Sequence, residues 1–145
     1  MNKKIIGVLN GPNLGILGQR EIEIYGTKTL VDLEQQLQKA AEKLDVEVEC
    51  YQSNIEGKLI DKIESWRRKV SGVVFNPGAY AHTSIALRDA VSGSGLGFIE
   101  VHISNIHARE TFRQHSYIAS VSICVISGLG FDGYEAGLKY LAKQS

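Results

Sequence analysis

The chain holds two cysteines, two prolines, one methionine and one tryptophan among 145 residues. Cys50 and Cys124 have neither CxxC spacing nor a partner at zinc-ligand separation, so neither a disulfide framework nor a structural zinc organises the fold. Each falls in a predicted strand, which points to a buried free thiol. An excess of one charge is missing too: Lys+Arg and Asp+Glu both number 16. There is no basic field to hold nucleic acid, and little repulsion between copies to oppose self-association. No apolar run reaches the length of a membrane span, and no signal-peptide core precedes the first short strand. The expectation is a soluble, cytoplasmic protein with no membrane partner. What is present is ordinary globular stock, 43% hydrophobic and 22% charged, which suits one domain over 1–145.

Short apolar runs alternate with helical periodicities. Residues 4–9 read as a buried strand. Thr29 opens a helix to about Leu44, with Leu30, Leu33, Leu37, Ala40, Ala41 and Leu44 on one face. Residues 46–51 alternate like an edge strand, and a helix over 58–69 buries Leu59, Ile60, Ile63 and Trp66. A third strand covers 72–75. A helix opening at His82 or Thr83 follows, then a fourth strand over 97–101 and a short helix near 108–114. A fifth strand over 117–126 and a helix over 133–143 close the chain. This alternation predicts a parallel sheet with right-handed crossovers. The size fits an α/β, flavodoxin-like three-layer sandwich of five strands in the order 2-1-3-4-5. The long stretch from Asn10 to Gly26 carries Leu14, Ile16, Leu17, Ile22 and Ile24, too apolar for disorder, and reads as a lid.

In such a sheet, ligands sit beyond the carboxyl ends of the strands. Those ends carry Asn10 and Asn13, then Gln52, Ser53 and Asn54, then Asn76 and His82, then His102 and Ser104, then Ser127 and Gly128. The amino ends carry nothing comparable. Glu100 and His102 stand two apart on one strand, so their side chains share a face, and a carboxylate there orients an imidazole and favours its charged form. Gly128–Gly133 matches GxGxxG, but the chain beyond it is too short for a dinucleotide unit, and a tight strand-to-helix turn is the better reading. The GxxxxGK[ST] loop and the GxSxG elbow are absent. The spacing of His102, His107 and His115 fits no common metal site. What remains is acid–base work by Tyr, His and Arg with no cofactor and no metal. A tyrosine serves as a base only where cations favour its phenolate, and Arg20, Arg109 and Arg113 are at hand for Tyr25. The alternative is a flavodoxin-like module that binds a phosphate or flavin ligand without catalysis.

Several blocks together carry a resemblance. They are Leu9–Leu14, Arg20-Glu21 with Tyr25-Gly26, Gln52-Ser53-Asn54, Asn76–Tyr80, His82-Thr83-Ser84, and Glu100–Ile106 with Arg109-Glu110 and Arg113. In this order and spacing the chain resembles type II 3-dehydroquinate dehydratase. The resemblance implies a cofactor-free lyase of the shikimate pathway that takes 3-dehydroquinate to 3-dehydroshikimate through an enolate. It implies Tyr25 as the base, Arg20 as the cation favouring its phenolate, His102 as the acid oriented by Glu100, and Asn13 as the holder of a water on the enolate oxygen. Asn76, His82, Asp89 and Arg113 would bind substrate hydroxyls, and the Ile103 and Ser104 amides its carboxylate. A homododecamer built from trimers, and a lid over about 19–26, are implied as well. Gly15, Ile22, Ile55 and Ala81 depart from the usual Asn, Pro, His and Thr. A lid without its proline has more open conformations to lose, so a mobile lid is expected.

Overall fold

The computed structural model describes residues 2–144. Five parallel strands, β1 (Ile5–Asn10), β2 (Glu47–Gln52), β3 (Gly72–Asn76), β4 (Gly97–His102) and β5 (Cys124–Ser127), lie in the order β2-β1-β3-β4-β5. Helices α2 (Leu30–Leu44) and α5 (Phe131–Ala142) cover one face, and α3 (Glu56–Trp66) and α4 (Ile85–Ser94) the other. The single-turn helix α1 (Ile22–Tyr25) lies in the long first loop. This is the flavodoxin-like sandwich and strand order that the alternation implied.

The period of two along each strand sorts its side chains between two cores. Ile6, Val8, Val74, Ile99 and Val101 pack under α2 and α5, whereas Leu9, Val73, Phe75 and Phe98 pack under α3 and α4. Glu100 and His102 continue the register of Phe98, so β4 becomes polar on the α3/α4 face just where it leaves the sheet. Helix α2 starts where expected: the Thr29 side chain accepts from the Asp32 N–H, and Asp32 returns the bond to the Thr29 N–H. Ser84, rather than His82 or Thr83, caps α4 by accepting from Leu87 N–H at 2.9 Å. His82 instead closes a 3-10 turn, Gly78–His82.

Three expectations are corrected. The region 117–126 is not one strand: Ala119–Val121 is a 3-10 turn, and only Cys124–Ser127 pairs with β4. The Ser116 hydroxyl accepts from Ile118 N–H at 3.1 Å and Ala119 N–H at 3.2 Å, which turns the chain before the ladder forms. The helix near 108–114 is two 3-10 turns, Ile106–Ala108 and Thr111–Arg113. Cys124 is exposed because β5 is a short edge strand, while Cys50 is half-buried, its thiol pushed up to about 12 by burial and by Glu34 and Glu49. The glycine-rich segment after β5 is the turn into α5. Among the described residues, no helix is long and apolar enough to cross a membrane.

Candidate active site

The carboxyl ends of β1, β3 and β4 converge on one narrow cleft of about 100 Å³. Its walls are built by the first loop (Pro12, Asn13, Leu14), α1 and its approach (Arg20, Tyr25), the β3 exit (Asn76, Gly78, Ala79, His82) and the β4 exit (His102, Ile103, Ser104, Ile106, Arg109, Arg113). Ten of the eleven side chains and amides nominated from the sequence reach this cleft or stand directly behind it. Asp89 does not: it lies on α4, its side chain 69% exposed and 3.5 Å from Arg88.

Tyr25 is set among cations. Arg109 Nη1 donates to its phenol oxygen at 2.7 Å, and the Arg20 guanidinium lies 4.4 Å from its ring centroid. Glu21 ties the two cations together, 3.3 Å from Arg20 and 3.9 Å from Arg109. Arg109 also reaches Ser104 Oγ at 3.3 Å, which joins α1 to the β4 exit.

On the opposite wall, His102 Nε2 donates to Glu100 Oε2 at 2.5 Å, and both side chains are buried. A carboxylate only accepts, so Nε2 carries a hydrogen and Nδ1 is left for the cleft. Ser116 Oγ donates to the other carboxylate oxygen at 2.8 Å. The His82 ring stacks on His102 with centroids 6.2 Å apart. His82 Nδ1 donates to the His115 carbonyl at 2.7 Å. Burial holds His82 below the ordinary imidazole range against that carbonyl bond, with His102 and Arg113 adding repulsion. A neutral His82 with its hydrogen on Nδ1 offers Nε2 as an acceptor for a hydroxyl.

The remaining groups are held by the backbone around them. Asn76 Oδ1 accepts from Gly78 N–H at 3.0 Å, and its amide nitrogen donates to Tyr134 Oη at 2.7 Å. Gln52 and Asn54 face the first loop rather than the cleft: Asn54 Oδ1 takes Asn13 N–H at 3.0 Å, and Gln52 donates to Gly11 O at 3.0 Å. A Cβ on Gly11 would lie 2.5 Å from Pro77 O, so only glycine lets the β1 and β3 exits touch. Ser127 braces the β4 exit from below, donating to Ser104 O at 3.0 Å and accepting from Ile106 N–H at 3.1 Å. Sequence reading placed Arg109 only among available cations and gave no part to Glu21, Ser116 or Tyr134. Glu21 was visible as an acid next to Arg20. The other two carry no local signal.

A flavodoxin-like sheet whose strand ends gather a phenol among guanidiniums and a carboxylate-bound imidazole defines a small-molecule acid–base enzyme. The family model of dehydroquinase class II matches residues 3–142, and the chain belongs to that family. It is similar to a 3-dehydroquinate dehydratase of Gemmatimonas aurantiaca, 58% identical over 96% of this chain and 91% of that protein. It is 50% identical to a catabolic 3-dehydroquinase of Pyricularia oryzae, over 98% of this chain and 92% of the relative. The crystal structure of the type II dehydroquinase from Propionibacterium acnes superposes with a TM-score of 0.95 at 44% identity, covering 99% of each chain.

Proposed function

We propose that this chain is a 3-dehydroquinate dehydratase of the shikimate pathway, which removes water from 3-dehydroquinate to give 3-dehydroshikimate by anti elimination through an enolate. The observation that carries the reading is the shared cleft: Tyr25, with Arg109 at its oxygen, and His102, with Glu100 at Nε2, line the same 100 Å³ space.

The chemistry follows from those groups. The Tyr25 phenolate takes the C2 proton, and the C–H electron pair becomes an enolate. Fixed donors stabilise such a charge best in a dry site, at typically about 2.7–4 kcal/mol per donor. Asn13, with a water, serves the enolate oxygen. The enolate then expels the C1 oxygen, which takes the His102 Nδ1 proton and leaves as water. The Glu100 carboxylate holds the His102 ring oriented through Nε2, with Nδ1 toward the cleft. The base and acid act on different atoms, and each has its own partner: the Arg109 guanidinium at Tyr25 and the Glu100 carboxylate at His102. Asn76, His82 and Arg113 bind substrate hydroxyls, and the Ile103 and Ser104 amides hold its carboxylate. Asp89 has no part in this cleft within one chain. Residues 19–26 act as the lid.

The reading includes a cytoplasmic homododecamer of four trimers. Equal numbers of acidic and basic residues and the exposed apolar side chains of Ile123, Val125 and Leu129 support self-association.

The test is the rise of enone absorbance when purified protein meets 3-dehydroquinate. Tyr25→Phe and His102→Ala are each expected to lower kcat by at least about 100-fold, the scale of one acid or base. Turnover unchanged in both variants would refute the assigned chemistry.

A further inference from the structure

Ser116 stands behind the cleft, in the turn between Thr111–Arg113 and Ala119–Val121. Its hydroxyl has one proton and two lone pairs. The lone pairs receive the N–H groups of Ile118 at 3.1 Å and Ala119 at 3.2 Å. The proton therefore goes to Glu100 Oε1, at 2.8 Å. The other oxygen of that carboxylate takes His102 Nε2. Glu100 is 0% exposed, so bulk water reaches neither oxygen. One residue earlier, the His115 carbonyl accepts from His82 Nδ1. A single dipeptide thus stands behind both stacked imidazoles, and Tyr117 N–H anchors it to the Ala81 carbonyl at 2.7 Å.

We infer that Ser116 is a positioning residue: through Glu100 its hydroxyl sets the orientation and proton occupancy of His102, while the adjoining His115 carbonyl fixes His82. A buried carboxylate that loses one of two donors takes up a proton more readily. Glu100 and His102 share protons as a pair, so their balance moves from carboxylate and imidazolium toward carboxylic acid and neutral imidazole. The imidazole then keeps its Nδ1 hydrogen but loses the positive charge that makes it an effective acid. The other charged and titratable groups around the pair are His82, from the Gly78–His82 turn, Arg113, from Thr111–Arg113, and Arg20, Tyr25 and Arg109 across the cleft. His115 lies on the same turn as Ser116, its ring against Tyr117. The hydrogen bonds of these groups run to Glu21, Glu110, Ser104, Tyr25 and the His115 carbonyl, and none passes through Ser116 Oγ. Loss of that hydroxyl therefore reads out on the Glu100–His102 pair.

The inference rests on the dehydratase reading only for its kinetic consequence. The full-length chain is compared with Ser116→Ala and Ser116→Thr by pH-dependent kinetics and by 15N-histidine NMR. For Ser116→Ala, kcat is expected to fall about 10–100-fold with KM within about threefold, the scale of one hydrogen bond to a charged group. The acid limb of its kcat profile moves to higher pH, and the His102 ring nitrogens titrate differently from the parent. Ser116→Thr, which keeps the hydroxyl, restores the parent pH limb and His102 spectrum. Ser116→Cys keeps a weaker donor in place, falls between the two, and stands in if the alanine variant does not fold. An alanine or cysteine variant with the parent's pH limb and His102 titration overturns the inference. A His102 titration that changes as expected in a protein that never converts 3-dehydroquinate upholds the inference and removes the dehydratase reading.

Discussion

Tyr134 is fully buried, yet its hydroxyl is fully used: it donates to Asn10 Oδ1 at 2.6 Å and accepts from Asn76 Nδ2 at 2.7 Å. Burial pushes the phenol far above its ordinary range, so it stays a neutral donor. The bond matters to the cleft because Asn76 is one of its walls. Asn10 has no slack to absorb a loss, since its Nδ2 is buried without a partner among the described residues. Tyr134→Phe keeps the ring but strands an amide donor and an acceptor in the core. The expected cost is about 1–3 kcal/mol in urea unfolding, with a drop in kcat/KM as Asn76 loses its anchor. A variant with parental stability and kinetics would mean that these three groups are not a working unit. Asn76 was legible in the sequence as a polar residue ending an apolar strand. Tyr134 was not, because on its own helix it reads as one more core aromatic. Nothing in local spacing joins it to residues 10 and 76; only the parallel sheet does.

Elements were legible where one period and one cap agreed, as in α2 with Thr29 and its leucines. Legibility failed between β4 and β5. There Tyr117, Ile118 and Val121 supply strand-like residues, but the Ser116 oxygen captures two backbone N–H groups that a ladder would need. Side-chain competition of this kind leaves no trace in hydrophobic periodicity. The long loop after β1 was legible as an apolar segment, and α1 gives it form. Gly18 (φ 88°) enters it where a Cβ would meet Thr27 O at 2.7 Å, and Glu21 caps α1 in the left-handed region. Ile22 is the first residue of α1, the position at which proline is best tolerated. Ile22→Pro removes open conformations of the empty lid, which amounts to about 0.4–1 kcal/mol, or about 2–5-fold in KM. We expect a lower KM and slower hydrogen exchange over 19–26 in the empty enzyme. Parental exchange and KM would remove the lid's flexibility as a factor in binding.

At the scale of the whole molecule, the two sheet edges are unlike each other. The β2 edge is blunted: Glu49 takes the Trp66 indole N–H and Lys69 Nζ, the latter at 2.8 Å, and Lys62 lies over Tyr51. Charged and engaged side chains of this kind discourage edge-to-edge pairing. At the β5 edge Ile123 is 49% exposed and Val125 39% exposed, with Leu129 beyond the strand. Water-facing β-branched residues on an unpaired edge offer a surface that a second copy can cover, and zero net charge offers no long-range repulsion against it. In the homo-oligomer proposed above, this edge is the expected contact between copies. Val125→Lys places a strongly hydrated ammonium there while leaving the cleft residues untouched. Its mass by light scattering is expected to fall below that of the parent at equal concentration, with the far-ultraviolet circular dichroism unchanged. A variant that keeps the parental mass would put the contact between copies on another face.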